Sequence, residues 1–247
     1  MIEEQVARAA DMLRAASQVV ALTGAGVSAE SGVATFRGAG GLWEGSPVSE
    51  VATPDAFAAD PVRVWRFYEA RRRQLAGVRP NPGHLVLASW QDRFAGFTLV
   101  TQNVDGLHQA AGSSHVLELH GSIWRVICTG CRRRRDDRCV PLARVPPHCD
   151  QCAAIERPDI VWFGEILPAD VLAEATAAVW RCEVLVVVGT SALVYPAAGL
   201  VHEAAAAGAR IIEVNPEQSA LAALAAVAVR APSGVALPQI EAALSEG

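Results

Sequence analysis

The chain has 247 residues, 51% hydrophobic and 19% charged, enough for one large domain with a full core and a small accessory module. Its formal net charge of −5 argues against nucleic acid as the main ligand and suits a basic protein target better. The uncharged stretch 184–201 carries Gly189, Thr190, Ser191, Tyr195 and Pro196 at its middle, so it reads as strand, turn and helix start in preference to a membrane span.

Residues 3–16 pattern as an amphipathic helix, with Glu3, Glu4 and Asp11 set against Val6, Ala9, Ala10 and Leu13. The basic start of a signal peptide is missing, so a cytoplasmic setting with reduced thiols is expected. A β-branched run at 19–22 is followed by Thr23-Gly24-Ala25-Gly26-Val27-Ser28. Glycines directly after a strand let the backbone approach a diphosphate at a helix start. A tight turn also needs glycine with no ligand at all, and Ala29 stands where the dehydrogenase fingerprint has its third glycine. The next segment, Phe36-Arg37-Gly38-Ala39-Gly40-Gly41, sets one aromatic and one cation in a glycine-rich loop able to close over a nucleotide.

Pro61 opens a helical stretch on which Tyr68 and Arg71 share a face. A guanidinium beside a phenol can receive a carboxylate; a surface pair on the Arg71-Arg72-Arg73 run is the plainer alternative. A helix at 81–92, with Pro82 near its start, leads to a strand at 97–100 and then to Thr101-Gln102-Asn103-Val104-Asp105-Gly106-Leu107-His108. Open α/β sheets bind ligands at the carboxyl ends of their strands. Gln102, Asn103 and Asp105 offer more donors and acceptors than a helix cap needs, in a set suited to ribose hydroxyls and a carboxamide. A strand at 116–119 ends on His120, next to Gly121, where an imidazole can serve as a general base near neutral pH.

Cys128-Thr129-Gly130-Cys131 and Cys149-Asp150-Gln151-Cys152 follow, with 17 residues between the two pairs. Two such knuckles can place four thiolates around one tetrahedral zinc ion. Four thiolates leave no open coordination position, so this metal would hold structure and activate no water. A disulfide or a redox pair is the alternative, and the spacing favours zinc over both. Cys139 lies in the intervening loop and could compete as a ligand, while Cys182 reads as a small buried residue. Strands at 159–162, 184–188, 211–214 and 227–229 and helices at 168–180 and 197–207 complete the alternation. Gly189-Thr190-Ser191 and Asn215 end two of these strands, where adenosine could be contacted.

The expected fold is α/β: a parallel-sheet domain of the nucleotide-binding kind, with a small zinc-binding module and a helical insertion. Residues 1–37, 81–120 and 158–247 would form the sheet domain, 38–80 the cofactor loop and helical insertion, and 121–157 the zinc module.

These motifs together, with Leu119-His120-Gly121 and Phe163-Gly164-Glu165, resemble the sirtuins, NAD-dependent protein lysine deacylases, from about Val19 to Leu237. The resemblance implies a Rossmann-like NAD domain and a cleft, between it and the zinc module, for an acyl-lysine peptide. It makes His120 the catalytic base, with Gln102, Asn103 and Asp105 around the nicotinamide ribose and nicotinamide. Gly24, Ala25, Gly26, Phe36, Arg37, Gly189, Thr190, Ser191 and Asn215 would line the rest of the cofactor. Val161 and Phe163 would sit against the extended substrate peptide. The implied reaction consumes NAD: the acyl oxygen attacks C1′ of the nicotinamide ribose, and the products are nicotinamide, free lysine and O-acyl-ADP-ribose. Acyl-lysine proteins are then the partners, with neither a membrane nor a specific nucleic acid expected, and the chain is expected to be a monomer.

Phe67-Tyr68-Glu69-Ala70-Arg71-Arg72 is similar to class III sirtuins, including bacterial CobB-type proteins, whose pocket takes succinyl and malonyl groups, and Ala52 matches the small residue that leaves them room. The alternative within the family is a general deacetylase with little desuccinylase activity. Ala34 and Leu42 depart from residues common in the family, Pro and Tyr respectively. Two other classes remain. A Rossmann dehydrogenase would share the glycine turn but carry an acidic residue ending its second strand, and a zinc-ribbon nucleic-acid binder would use Arg132-Arg133-Arg134-Arg135, which Asp136 and Asp137 offset.

Overall fold

Short strands that are apolar on both faces need helices on both sides of their sheet, and this chain supplies them. In the computed structural model, residues 2–34, 42–43, 46–191 and 195–246 are described, with 42, 43 and 46 described by backbone only. Helix α1 (Ile2–Arg14) leads into β1 (Gln18–Thr23) and a 3-10 turn, Ala25–Ser31, then β2 (Leu42–Trp43) and β3 (Ser46–Pro47). Helices α2 (Val48–Val51), α3 (Pro54–Ala59), α4 (Pro61–Leu75) and α5 (Pro82–Arg93) precede β4 (Gly96–Thr101), α6 (Leu107–Ala110) and β5 (Val116–Glu118). The small module carries β6 (Gly121–Cys128), β7 (Arg134–Asp136) and β8 (Glu156–Ile160). The chain then returns through α7 (Ala169–Arg181), β9 (Val184–Val188), α8 (Ala197–Ala206), β10 (Arg210–Val214), β11 (Ala225–Val229) and α9 (Ser233–Ser245).

The main sheet is parallel throughout, in the order β11-β10-β9-β1-β4-β5. Chain order reverses between β1 and β9, so the crevice for a ligand opens past their carboxyl ends. Every residue of β9 is buried. One core layer joins the sheet to α1, α5 and α9 through Leu13, Leu87, Trp90, Leu237 and Ile240. The opposite layer joins it to α7 and α8 through Ala175, Val179, Leu200 and Val201. The expected strands at 97–100, 116–119, 184–188, 211–214 and 227–229 lie in this sheet within a residue or two of their ends.

The strand expected at 159–162 is different. It runs over Glu156–Ile160 and pairs antiparallel with β6 in a separate sheet, β7-β6-β8. Its apolar residues cover that sheet and a third core, with Val64, Trp65, Tyr68, Ile123, Val126 and Trp162, that joins α4 to the module.

Helix α4 shows how local sequence positions this third core. Asp60 caps it by accepting from the Arg63 amide, and Pro61 occupies its first turn. Its buried positions are Val64, Trp65, Tyr68, Arg71, Arg72 and Leu75, the three-and-four spacing of one helical face. The arginine run therefore splits. Arg73 is on the outside with Glu69 at 3.1 Å, whereas Arg72 is fully buried, donates from Nε to the Ile123 carbonyl at 2.8 Å, faces Asp137 at 3.5 Å, and lies near the rings of Trp65 and Trp124. Tyr68 and Arg71 are thus on a buried face, which removes the surface-pair reading.

Candidate active site

The strand-end loops form one hydrogen-bonded cluster. Gly24 N–H donates to Val188 O at 3.0 Å, Gly26 N–H to Gly189 O at 2.7 Å, and Gly189 N–H to Val214 O at 3.0 Å. A Cβ on Gly26 would lie 2.7 Å from the Gly189 backbone, and one on Gly24 would lie 2.7 Å from Thr190 Cβ. These glycines are therefore required by loop-to-loop packing, and their own amides are engaged inside the protein. Gln102 Nε2 reaches Thr190 Oγ1 at 3.1 Å, and Asn215 Nδ2 reaches Thr190 O at 3.0 Å. The cluster thus gathers Gly24, Gly26, Gln102, Asn103, Gly189, Thr190 and Asn215 at the crevice, with Ala25 half-buried in the first turn. Ser191 is exposed next to them. Phe36 and Arg37 lie outside the described residues.

Beneath this rim Asn103 and Asp105 belong to a polar network whose other members, Ser28, His84, His108, Thr23 and Thr101, have no assigned role from sequence. Ser28, fully buried, donates from Oγ to Asp105 Oδ2 at 2.7 Å and accepts from Asn103 Nδ2 at 3.2 Å. Asn103 Nδ2 also reaches Gly24 O at 3.1 Å. Asp105 Oδ1 accepts from the Leu107 amide at 2.9 Å, and its backbone carbonyl accepts from Trp124 Nε1 at 2.6 Å. Burial raises the Asp105 pKa, opposed by the Leu107 amide, the Ser28 hydroxyl and the Arg71 charge. His84 Nδ1 accepts from the Asn81 amide at 3.3 Å, so its Nε2–H faces Ser28 Oγ at 3.4 Å. His108 Nε2 lies 2.9 Å from Thr23 Oγ1, itself 2.7 Å from Thr101 Oγ1. The signals were present: Ser28 ends the quoted glycine motif, and Asn81-Pro82-Gly83-His84 is a capping box in which His replaces the usual Glu or Gln.

His120 stands apart from this network. Its Nδ1 is 2.8 Å from the Gln102 carbonyl. A carbonyl only accepts, so Nδ1 carries the proton and the neutral ring presents Nε2 as an acceptor. Burial lowers the His120 pKa, and the Gln102 carbonyl opposes that shift by favouring the protonated form. Its backbone carbonyl accepts from Val161 N at 2.9 Å, and two residues on Phe163 N donates to Ala52 O at 3.0 Å. Val161 to Phe163 therefore bridges His120 and the α2–α4 region, with Phe163 half-exposed at 49% and Ala52 buried. Across this bridge Tyr68 is fully buried, its hydroxyl accepting from Trp162 Nε1 at 2.9 Å. Arg71 is nearly buried and reaches Gln74 Oε1 at 3.3 Å.

The four cysteines also converge. All four Sγ atoms lie within 4.8 Å of one another, with Cys128 and Cys152 at 3.3 Å and Cys131 and Cys149 at 3.7 Å. Thiolates at about 2.3 Å from a tetrahedral zinc are about 3.8 Å apart, so the site fits that ion. Amides of Gly130 and Cys131 point at Cys128 Sγ and that of Gln151 at Cys149 Sγ, as in a metal knuckle. All six cysteines are free thiols, which removes the disulfide reading. Cys139 is exposed and outside the cluster.

A model of the Sir2 family matches residues 24–196, well over half of the chain. The chain belongs to the Sir2 family. The NAD-dependent protein deacylase 1 of Caldanaerobacter subterraneus subsp. tengcongensis is 50% identical over 202 residues, covering 82% of this chain and 84% of that protein. A Sir2 homologue crystallised with NAD superposes with a TM-score of 0.90 at 41% identity, over 97% of this chain and 94% of that one. Sir2Af2 bound to a myristoylated histone peptide superposes with a TM-score of 0.80 at 32% identity, over 99% and 98% of the two chains. The superposition on that NAD-bound homologue covers nearly the whole chain, including the six-stranded parallel sheet and the four-cysteine module. Among the described residues no helix is long and apolar enough to cross a membrane.

Proposed function

We propose that this Sir2 protein is an NAD-dependent protein-lysine deacylase that removes succinyl, malonyl and acetyl groups, consuming NAD and one water and leaving free lysine, nicotinamide and O-acyl-ADP-ribose. Bound NAD would supply an electrophilic ribose carbon with nicotinamide as leaving group. The polar set at the crevice suits that co-substrate: Gln102, Asn103 and Asp105 at the end of β4, and Gly24, Thr190 and Asn215 at the adjoining strand ends. The observation that carries the catalytic reading is the His120 tautomer, fixed by the Gln102 carbonyl at 2.8 Å, which leaves Nε2 as an acceptor for a ribose hydroxyl proton. A zinc ion held by Cys128, Cys131, Cys149 and Cys152 would keep the module folded and take no part in the chemistry.

The acyl preference rests on Tyr68 and Arg71, buried on one face of α4, with Tyr68 bonded to Trp162 in the segment after β8 that bears Val161 and Phe163. A phenol that burial keeps protonated, beside a guanidinium, is a receptor for the distal carboxylate of a succinyl or malonyl group. Ala52, buried in the same core as Tyr68, is the small residue that would leave room for such a group. Acyl-lysine proteins are then the partners, presented as extended segments along Val161 to Glu165. One peptide series bearing acetyl-, malonyl- and succinyl-lysine, incubated with and without NAD and read by mass spectrometry, tests both levels. NAD-dependent loss of the acidic acyl groups supports the full reading, loss of acetyl alone reduces it to a general deacetylase, and no NAD-dependent loss overturns it.

A further inference from the structure

Resting on the carboxylate reading of Tyr68, we infer that Trp162 is a specificity-determining positioning residue, which fixes the direction in which the Tyr68 hydroxyl donates. Indole nitrogen is a donor only, so in the 2.9 Å contact between Trp162 Nε1 and Tyr68 Oη the tyrosine oxygen is the acceptor. The Tyr68 proton is thereby turned away from Trp162, and the hydroxyl acts as a donor towards a third group. Burial holds the phenol in its protonated state by raising its pKa.

The indole is itself clamped. It is 2% exposed, with Phe57 at 5.3 Å between centroids on one side and the Arg157 guanidinium 3.5 Å from the ring centroid. Arg157 is held by a two-pronged pair with Glu165, at 2.6 and 2.8 Å, and the same Glu165 Oε2 accepts from the Trp162 amide at 2.8 Å. Glu165, Arg157, Trp162 and Tyr68 therefore form a continuous strut from the substrate-facing segment to the acyl pocket. Such a strut pre-sets the donor before an acyl group arrives, so the carboxylate need not spend binding energy orienting it.

The test compares kcat and KM on one peptide carrying succinyl- or acetyl-lysine at saturating NAD, for wild type, Trp162→Phe, Tyr68→Phe and the double variant. Trp162→Phe should lower the succinyl-to-acetyl ratio of kcat/KM by about threefold to tenfold, through the succinyl KM, as expected for one lost neutral hydrogen bond. In the Tyr68→Phe background the same change should have no further effect on the ratio. A Tyr68→Phe effect on the ratio without a Trp162→Phe effect, or additive effects in the double variant, would overturn the role of Trp162 and leave the carboxylate receptor standing. If neither substitution moves the ratio, the receptor reading falls as well. Should Trp162→Phe fail to fold, replacement of Trp162 by 3-benzothienylalanine keeps the ring and removes only the N–H, and the same ratio decides.

Discussion

The imidazoles of His84 and His108 lie 4.9 Å apart, centroid to centroid, tilted by 57°. Both are buried, and burial pushes the His84 pKa down to about 4 and, aided by its neighbour, that of His108 to about 3, from an ordinary 6.5. Below pH 6.5 the unfolded chain takes up protons that the folded one refuses. Stability should therefore fall as pH falls, from 6.5 to about 4 for His84 and to about 3 for His108. Each contributes about 1.4 kcal/mol per pH unit within its window, with Asp105, whose pKa is raised, offsetting part of the loss. Denaturant titrations at pH 7, 6 and 5 measure the slope, which His84→Gln should reduce by roughly a third to a half, since His108 and His120, whose pKa values burial also lowers, carry the rest. An unchanged slope would show that His84 is not a buried neutral base.

His120→Ala should lower turnover by about two orders of magnitude while the circular dichroism spectrum stays that of the wild type, the size expected for a lost general base. Because burial lowers its pKa, the acid limb of kcat/KM in the wild type should bend below pH 6.5, and His120→Ala should lose that bend. Undiminished turnover would remove His120 from the mechanism.

Elemental analysis of protein purified without chelator should find one zinc per chain. Cys128→Ser should lower stability, since binding free energy at a structural site is folding free energy. It should also reduce activity, because Trp124 on β6 donates to the Asp105 carbonyl at 2.6 Å. Cys139→Ser, at an exposed thiol outside the cluster, should leave zinc content unchanged. Zinc-free, fully folded protein is the result that would sink the assignment.

Arg71→Met should raise the KM for succinyl peptide by roughly tenfold to a hundredfold, the loss of a charge-assisted contact of about 1.5 to 3 kcal/mol. Acetyl-lysine has no carboxylate, so the ratio of catalytic efficiencies should move with it. A parallel fall on both peptides would assign Arg71 to structure or cofactor binding.

Much of this site was readable because it depends on strand ends. A β-branched run closed by Gly24, Gln102, His120, Gly189 or Asn215 shows both the strand and the polar residue that emerges from it. What was not readable depends on non-local pairing. Ile160 reads as part of a main-sheet strand from its neighbours, and only its antiparallel partner Gly121 places it in the other sheet. The arginine run at 71–73 looks like one charged face until Trp65 and Trp124 surround Arg72. Helix α9 is not legible in the sequence because Pro238 interrupts its pattern, and its buried Leu237 and Ile240 form a face only against α1 and α5. Ser28 and His84 carry local signals, the glycine motif and the capping box, but their place in the buried network, like that of His108, comes from residues dozens of positions away.

Gly26 and Gly189 meet backbone to backbone at the boundary where the order of the sheet reverses. The chain visits the two sides of that boundary in segments far apart in sequence, and a side chain on Gly26 would press into the Gly189 backbone. The floor of the crevice is thus bare backbone laid against bare backbone, and a substitution at either glycine would pry apart the two halves of the sheet. The α2–α4 helices and the cysteine module are mounted on that floor.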